Sequence, residues 1–377
     1  MIRSLIGTSA RVARSEGLSS VVRRGAERIE EEVVLRARLA RGLFTRIGRS
    51  PLLNVLATPP SSRLGGLQIQ LMARLREERT LREVALLHPG VLEVASCAWR
   101  SPAYEGSLDR AIAHALARTG AHAIVIEGTA GVHLEHVLPF DNIILAVHDL
   151  SLMPEPSAQQ LLKHARAVIF PSTFLRDRHR AHFDLPHLAA HVIEPGIDGP
   201  KIDRANGKRC HIAYAGSVRR DKGGHLLPEI IAAFPGQQFH IFGGGDEDLL
   251  RSLRHLPGVF VHGYYRSGAL PKLLAQHEIG LALLPSIIPE SYSLTLSECW
   301  LAGVPAVAFN HGAHAERIDR DGGGWLVPLD AGAAGIVTIV RRWLAGELTT
   351  DVPTTMAWPR DAAVAHIEIY RSLGLLD

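Results

Sequence analysis

Short apolar segments alternate with helix-like segments along most of this chain, and the pattern runs through twice. The first run lies between residues 51 and 195 and begins with an apolar stretch at 52–57, and the second begins at 211–215. Such alternation predicts a parallel, doubly wound sheet with helices on both faces. Because 377 residues exceed one typical core, we predict an α/β protein with two Rossmann-like lobes and a cleft between them.

The pattern divides the chain into four segments. Residues 1–50 form an N-terminal arm, 51–195 the first lobe, 196–355 the second lobe and 356–377 a terminal helix. Turn-forming residues from Pro195-Gly196 to Lys208 mark the linker between the lobes.

The N-terminal arm holds all of the excess positive charge. Residues 1–50 carry eleven Arg and five Glu, a net of +6, so the rest of the chain carries −3 against a total of +3. Apolar residues recur in the arm at helical spacing with Arg between them, a pattern typical of a basic helix on an anionic membrane. A helix packed on the protein body would show the same pattern, and both alternatives stay open. The acidic remainder gives no reason to expect nucleic-acid binding.

Composition indicates a protein of the reducing cytoplasm. No run of eighteen apolar residues suggests a membrane span, and the N-terminus lacks the apolar core of a signal peptide. The cysteines Cys97, Cys210 and Cys299 are odd in number and widely spaced, so we expect neither a disulfide framework nor a cysteine metal site. We expect a cytoplasmic protein, peripheral at the inner face of the membrane if the arm binds lipid.

Two glutamates mark the segment with the most site features. Glu290 and Glu298, with seven residues between them, lie between an apolar strand at 280–284 and a second one at 304–309. Nucleotide ligands bind where an α/β strand ends and a helix begins. One carboxylate there can accept hydrogen bonds from a sugar and the other from a ribose, while the helix N-terminus can meet a phosphate.

The sequence around these glutamates resembles a family signature. LPSIIPESYSLTLSECWLAGVPAVAF is similar to the acid-x7-acid segment of retaining GT-B glycosyltransferases of the family-four, or group 1, type. The residues in register with that signature are Pro285, Ser286, Glu290, Leu294, Glu298, Ala302, Gly303, Pro305 and Ala308. The chain departs from it at Ser291, Tyr292 and Ser293, which replace the usual Gly-Phe-Gly.

A second segment resembles the donor-phosphate loop of the same family. Residues 215–223 are similar to its G-R-L-x-x-E-K-G pattern, and Lys222 falls on the lysine that binds the donor diphosphate. A fixed ammonium there would offset charge that develops on the leaving group. Ser217 replaces the usual arginine of the pattern, and Arg219 or Arg220 could supply the missing cation.

Two features of the first lobe also resemble the family. The loop at 58–66 follows the first strand, and Gly65 and Gly66 would let its backbone approach the donor phosphates. His148, at the end of the strand before Asp149, resembles the histidine that faces the donor sugar and diphosphate.

The resemblance covers about residues 52–373 and implies a role for each matched residue. Glu290 and the backbone of 291–294 would hold the sugar, and Glu298 the ribose. The implied catalytic residues are Glu290, His148 and Lys222, and the implied donor-binding residues are Gly65, Gly66, Arg219, Arg220, Lys222, Ser291, Tyr292, Ser293, Leu294 and Glu298. The family also implies retention of configuration without a covalent intermediate, no cofactor and no obligatory metal. Its last helix crosses back onto the first lobe, with Trp358 and Tyr370 as the expected packing anchors.

The remaining motifs are weaker. Residues 242–248 look like a dinucleotide fingerprint, but Asp248 occupies the place of its third glycine, which disfavours an oxidoreductase. Glu316, in a segment similar to the family's G-G-x-x-E, is expected to act structurally or near the nucleotide. His179, His182 and His187 are clustered without supporting carboxylates or cysteines, so we expect no metal site.

The function implied is hexosyl transfer from a nucleotide sugar to a glycan or lipid-linked acceptor, in cell-surface polysaccharide or glycoconjugate synthesis. Two alternatives stay open. One is a non-catalytic scaffold that binds nucleotide sugars at a membrane, and the other is a different GT-B enzyme, such as an epimerase or a phosphorylase.

Overall fold

The computed structural model describes residues 33–41, 49–56, 66–89, 91–94, 97–100, 108–129, 132–199, 209–266 and 268–377. These form two compact units. The chain leaves the first unit at Asp198, builds the second from Gly199 to Met356, and returns to the first with Ala357–Asp377. Each unit is built around its own mostly parallel sheet, which confirms the prediction of an α/β protein with two Rossmann-like lobes.

The first unit has an eight-stranded sheet in the order β4-β3-β2-β1-β5-β6-β7-β8. Its strands are β1 (Leu52–Val55), β2 (Ala85–His88), β3 (Val91–Val94), β4 (Cys97–Arg100), β5 (Ala123–Glu127), β6 (Ile143–Ala146), β7 (Ala167–Phe170) and β8 (Ala190–Val192). Its helices before the linker are α1 (Gly66–Glu78), α2 (Leu108–Thr119), α3 (Leu134–Val137), α4 (Ala158–His164) and α5 (Thr173–His182).

One edge of this sheet corrects the sequence prediction of wholly parallel strands. β3 pairs with β2 and β4 with β3 in antiparallel fashion, whereas the alternation of apolar and helix-like segments predicts parallel neighbours. Only two residues separate β3 from β4. Two residues suffice for a hairpin, whereas a parallel connection needs a crossover of a dozen or more.

The second unit has six strands in the order β11-β10-β9-β12-β13-β14, and all of their pairings are parallel. They are β9 (His211–Ala215), β10 (Phe239–Phe242), β11 (Val259–Gly263), β12 (Ile279–Leu284), β13 (Ala306–Phe309) and β14 (Gly324–Val327). The helices are α6 (Leu227–Ala232), α7 (Glu247–Arg254), α8 (Leu270–Gln276), α9 (Leu294–Leu301), α10 (Gly312–Asp321) and α11 (Gly332–Leu344).

Helix α12 (Pro359–Ser372) belongs to the first unit. Leu52, Val125 and Ile144 lie on one face of the first sheet and share a buried cluster with Tyr370 of α12. The Tyr370 hydroxyl, fully buried, lies 3.2 Å from Nη1 of Arg74, so Tyr370 is an anchor of the helix, as expected.

Trp358 is not a packing anchor. Trp358 is 46% exposed, because it is the N-cap residue and lies just before the first turn of α12. Its contribution is made by the backbone: the Trp358 N–H donates to Oδ2 of Asp361 at 2.7 Å, which caps the helix.

Most of the N-terminal arm and the loop at 57–65, with Gly65, lie outside the described residues. Residues 33–41 of the arm are helical. Arg38 in that helix forms an ion pair with the buried Glu93 of β3, while Val33 and Val34 are exposed. No helix among the described residues is long and apolar enough to cross a membrane.

Candidate functional site

The loops after β9 and β12 bring together two of the residues expected to be catalytic. β9 and β12 are adjacent in the second sheet, and the carboxyl ends of parallel strands meet at one edge of a sheet. Lys222 follows β9 and Glu290 follows β12, and Nζ of Lys222 lies 2.6 Å from Oε1 of Glu290. Both side chains keep about a quarter of their surface exposed, at 26% and 20%. The pair is therefore reachable from solvent.

Close backbone contacts fix the loop that carries Lys222. Gly223 adopts φ +75°, and a Cβ there would lie 1.9 Å from the carbonyl oxygen of Pro285. The Asp221 carbonyl accepts the N–H of Ile287 at 3.0 Å. Beneath the loop, the buried Tyr214 hydroxyl donates to the carbonyl of Ser217 at 2.6 Å. The loops after β9 and β12 therefore form one rigid surface.

Glycines 243–245, in the loop after β10, pack against the loop after β9 and do not form a dinucleotide fingerprint. A Cβ on Gly243 would lie 1.8 Å from the Gly216 carbonyl oxygen, and one on Gly245 would lie 2.2 Å from that of Val218. The loop after β10 thus approaches the loop after β9 at backbone contact, which only glycine permits.

Helix α10 completes the surroundings of Glu290. The Ala313 N–H donates to the Glu290 carbonyl at 2.8 Å, and the buried His314 belongs to the same first turn. Burial alone would raise the pKa of Glu290, but the Lys222 ammonium, which also donates a hydrogen bond to Oε1, outweighs it and holds that pKa below its usual range. Burial in turn lowers the pKa of His314 to about 4. The carboxylate is therefore ionised at neutral pH.

Sequence reasoning missed His314 and Arg317 on α10. It singled out Glu316 instead, which is only half-buried. The available signal was the position of α10 directly after β13, since helix starts that follow strands line such sites.

Arg317 holds the turn that replaces the family's Gly-Phe-Gly. Its guanidinium donates to the carbonyls of Tyr292 at 3.2 Å and Ser293 at 2.9 Å, and to Oγ of Ser297 at 2.8 Å. It also stacks on the Tyr292 ring, 4.1 Å from the centroid. Tyr292 is buried, so it braces the turn from behind rather than facing a ligand.

Ser293 and Leu294 place the N-terminus of α9 beside Glu290. Ser293 is the N-cap residue, and its hydroxyl accepts the N–H of Leu296 at 3.3 Å. Leu294 is the first residue of the helix. The backbone N–H groups of Ser291–Leu294 therefore lie where a helix start can receive anionic or hydroxyl groups.

Glu298 lies one turn further along α9 and is almost fully buried. One oxygen accepts the Gly268 N–H at 3.1 Å. Burial raises the pKa of Glu298 to about 7, and that one hydrogen bond only partly opposes the shift. Glu290 and Glu298 thus have opposite electrostatic environments although they share one helix-start segment.

Arg219 and Arg220, the two arginines expected to replace the missing cation, differ in their surroundings. Arg219 forms a two-pronged ion pair with Asp221 and its side chain is about half exposed. The hydrogen bond with Asp221 raises the pKa of Arg219. Arg220 is exposed on the same loop. The charge of Arg219 is already balanced, and the choice between the two arginines stays open.

In the first unit, His148 belongs to a buried polar group. It follows β6, and its Nε2 lies 3.9 Å from Oε2 of Glu127 at the end of β5. The other Glu127 oxygen pairs with Arg74 of α1, and Arg74 also donates to Glu78 at 2.7 Å. Burial would raise the pKa of Glu127, but Arg74, with His148 nearby, lowers it to about 2. His148 therefore borders a permanently ionised carboxylate.

A small cavity of about 30 Å³ lies beside this group. Arg74, Glu127, His148 and the buried His366 of α12 all contribute to its lining. Sequence reasoning found His148 and missed the other three. Glu127 carried the same signal as His148, a polar residue at the carboxyl end of an apolar strand, whereas Arg74 and His366 carried none.

Gly66, expected from the sequence to approach the donor phosphates, is the first residue of α1 in the same unit.

Comparisons with known proteins agree with this architecture. Residues 209–345 match the family described as "Glycosyl transferases group 1". A sucrose-phosphate synthase from Thermosynechococcus elongatus is similar in structure, with a TM-score of 0.66 and 17% identity over 86% of this chain and 99% of that one. Anabaena HepE, solved with UDP and glucose, has a TM-score of 0.60 and 16% identity over 85% and 99%.

A third similar structure is the lipopolysaccharide outer core galactosyltransferase WaaB, with a TM-score of 0.60 and 16% identity over 84% of this chain and 94% of that one. A search of curated proteins finds no match. At these identities the solved structures share the fold with this chain. The two Rossmann-like units thus share the GT-B fold of these solved glycosyltransferases.

Proposed function

We propose that this protein is a retaining glycosyltransferase that moves a hexosyl group from a nucleotide sugar to a glycan or lipid-linked acceptor. The observation that carries the proposal is the Lys222–Glu290 pair at the carboxyl ends of β9 and β12, with Glu298 buried in the helix that follows. Similar solved structures support the donor class, since HepE holds UDP and glucose and a pneumococcal O-GlcNAc transferase holds UDP and GlcNAc.

In this proposal Lys222 receives the donor diphosphate. An ammonium group has three N–H donors, and the bond to Glu290 uses one of them. The other two can reach phosphate oxygens, and the fixed charge stabilises the departing nucleoside diphosphate. Arg219 or Arg220 of the same loop adds the second cation.

Glu290 and Glu298 take different parts of the donor. Ionised Glu290 accepts hydrogen bonds from the sugar hydroxyls. The backbone N–H groups of 291–294 donate hydrogen bonds to the sugar oxygens. Glu298 accepts the ribose hydroxyls, and a carboxylate that does so must give up any proton it holds at neutral pH. His148 lies in the other unit and is proposed to act on the donor sugar and diphosphate. Retention, with departure and attack on one face, is proposed from the family resemblance. No cofactor or obligatory metal enters this reaction scheme.

The acceptor is proposed to be a growing glycan or a lipid-linked glycan at the cytoplasmic face of a membrane. The +6 charge of residues 1–50 supports membrane association. The ion pair between Arg38 and Glu93 ties part of the arm to the protein body instead. Arm packing and membrane binding therefore involve different portions of these fifty residues.

The test is calorimetry with UDP-, GDP-, ADP- and dTDP-sugars, followed by assay of nucleoside diphosphate release with membrane glycolipids as acceptors. We expect one donor class to bind and to turn over. Lys222→Ala should lower turnover on the order of a hundred-fold while the protein stays folded, and Lys272→Ala, an exposed lysine of the same unit, should change nothing.

Three results would count against parts of the proposal. Failure of every donor to bind would remove the assigned function. Donor binding without release of nucleoside diphosphate would favour the non-catalytic scaffold. Normal turnover in Lys222→Ala, with loss in Arg219→Ala or Arg220→Ala, would move the phosphate site to those arginines.

A further inference from the structure

Four histidines from distant parts of the sequence gather in the second unit. His211 is the first residue of β9, His240 lies in β10, His262 in β11, and His277 follows α8 directly before β12. β11, β10 and β9 are neighbours in the sheet. His211 and His277 stand at the amino ends of β9 and β12, whereas Lys222 and Glu290 follow their carboxyl ends.

Three of these imidazoles converge. Nδ1 of His240 lies 2.9 Å from Nε2 of His262. The His277 ring centroid lies 4.4 Å from that of His262 and 4.9 Å from that of His240. One ring nitrogen of each residue lies within 4.8 Å of the other two. Phe242 stacks on His262 at 4.5 Å and gives the group an apolar wall.

An irregularity in β11 places His262. Ile241 pairs with Val261, but Phe242 pairs with Gly263, so His262 is an extra residue in the ladder. Such a bulge re-aims a side chain and is common beside functional sites. Here it sets the His262 ring over both His240 and Phe242.

The hydrogen bonds within the cluster leave a buried nitrogen unpaired. His240 is 5% exposed, and its buried Nε2 has no hydrogen-bond partner among the residues that the structure describes. Buried polar atoms in native proteins almost always have a hydrogen-bond partner, so a buried nitrogen without one requires an explanation. Burial and the neighbouring rings lower the pKa of His240 to about 4, and burial lowers that of His262 to about 4. A stack of neutral imidazoles in the core would leave the Nε2 atom unexplained.

We propose that His240, His262 and His277 form a binding site for a divalent cation of the Zn²⁺ class, with water as the fourth ligand. Neutral imidazoles suit Zn²⁺, Co²⁺, Ni²⁺ and Cu²⁺. Zn²⁺ binds imidazole nitrogen at about 2.0–2.1 Å, so the three nitrogens must come to about 3.3 Å from one another. His262 and His277 are half-exposed, and small rotations of these two rings achieve this and give the ion a path from solvent.

A neighbouring set could compete for the ion. The ligand atoms of Cys210, His211 and Glu278 also lie within 4.8 Å of one another. The geometry favours the three histidines, because Nδ1 of His211 is already 3.0 Å from the His277 carbonyl and Glu278 is exposed. A bound thiolate would reveal itself in the near-ultraviolet spectrum of a cobalt complex, which separates the two sets experimentally.

The bound ion would cross-link β10, β11 and the segment that follows α8. The three histidines include none of the residues proposed to bind the donor, so the contribution of the ion is structural and separate from the proposed transfer reaction. Donor binding should therefore survive changes to the cluster, and failure of the proposed function would leave the metal inference standing.

The test is a Co²⁺ titration of the full chain without an affinity tag, after treatment with a chelator. We expect one equivalent to bind with visible absorption of tetrahedral intensity, Zn²⁺ to displace it, and Zn²⁺ to raise the melting temperature. His262→Ala and His277→Ala should each weaken binding ten-fold or more. His255→Ala, an exposed histidine of the same unit, should bind as the wild type does.

Two outcomes would overturn the site. One is the absence of tetrahedral Co²⁺ absorption in the wild type at sub-millimolar ion. The other is unchanged binding in the His262→Ala, His277→Ala double variant, with a thiolate band that disappears in Cys210→Ser. Should an alanine variant melt early without metal, His262→Asn preserves the shape of the ring more closely, and retained tight binding by a folded His262→Asn variant would equally exclude the site.

Discussion

Replacing Glu298 by glutamine is expected to stabilise the protein above pH 7 and to leave its stability unchanged below about pH 4.5. The Glu298 carboxyl is buried on α9 and accepts one hydrogen bond, from the Gly268 N–H. Its ionised form is therefore poorly solvated in the folded state, and burial raises its pKa to about 7. Glutamine keeps the shape and the acceptor oxygen but has no charge.

The magnitude follows from linkage between ionisation and folding. The pKa rises from 4.5 for a glutamate in water to about 7 in the folded protein, and each unit corresponds to 1.36 kcal/mol. For a raised carboxyl pKa, stability is full below the unfolded pKa and is lost as pH rises through the folded pKa. Ionisation of Glu298 thus costs about 3 kcal/mol above pH 7, and Glu298→Gln recovers up to that amount.

The assay is urea denaturation and scanning calorimetry from pH 4.5 to pH 8.5. The variant and the wild type should coincide at the acid end and separate steadily towards pH 8, where the gain corresponds to about 5–10 °C in melting temperature. Glu229→Gln, an exposed glutamate of the same unit, is the matched control and should follow the wild type throughout.

The same substitution should harm donor binding. The wild type should bind its donor more tightly as pH rises towards 7, because the ribose needs the ionised carboxylate, and Glu298→Gln should bind weakly at every pH. Equal stability of variant and wild type at pH 5 and pH 8 would refute the electrostatic reasoning. Stabilisation without any loss of donor affinity would refute the ribose assignment alone.

Two further predictions concern other parts of the chain. Arg74→Ala should lower the free energy of unfolding by about 3–5 kcal/mol, since it leaves the buried Glu127 without its arginine partner, whereas Glu78 keeps its ion pair with Arg82; urea denaturation measures the loss, and a similar loss in the exposed Arg76→Ala would contradict the reason given. The full chain should sediment with anionic liposomes at low salt and be released at high salt, whereas a chain that starts at Ser50 should stay in solution. Equal behaviour of both chains would assign the arm to packing alone.

The two α/β units were predictable from the sequence because most of the central strands are largely apolar runs. Strands such as Ile143–Ala146 are buried along their whole length, so their composition alone marks them. The antiparallel hairpin at Val91–Arg100 was missed because its two strands are separated by only two residues, without the glycine or asparagine that usually marks a tight turn. Local sequence does not show whether such a junction continues a strand or reverses it.

The sequence predicted those site residues that lie directly after the end of a strand. It did not predict the residues that pack around them, because these come from distant parts of the sequence. Lys222 and Glu290 were identified before their contact was known. His314 and Arg317, which surround Glu290 and its turn, lie on a helix one strand further along. The histidine cluster was invisible for the same reason, since its members are spread over β10, β11 and the end of α8 and converge only through the sheet order.

The two departures from the family pattern have different physical consequences. Ser293 stands where a glycine is usual, and its φ of +69° costs a non-glycine residue about 1–2 kcal/mol. Its hydroxyl caps α9, which is worth about 1 kcal/mol, and Arg317 holds its carbonyl, so the turn survives without glycine. Ser217 offers no cation, and of the two arginines proposed to supply one, Arg219 is already paired with Asp221. In the proposed function, the turn assigned to the sugar is thus preserved, while binding of the donor phosphates depends more on Lys222 than the family pattern implies.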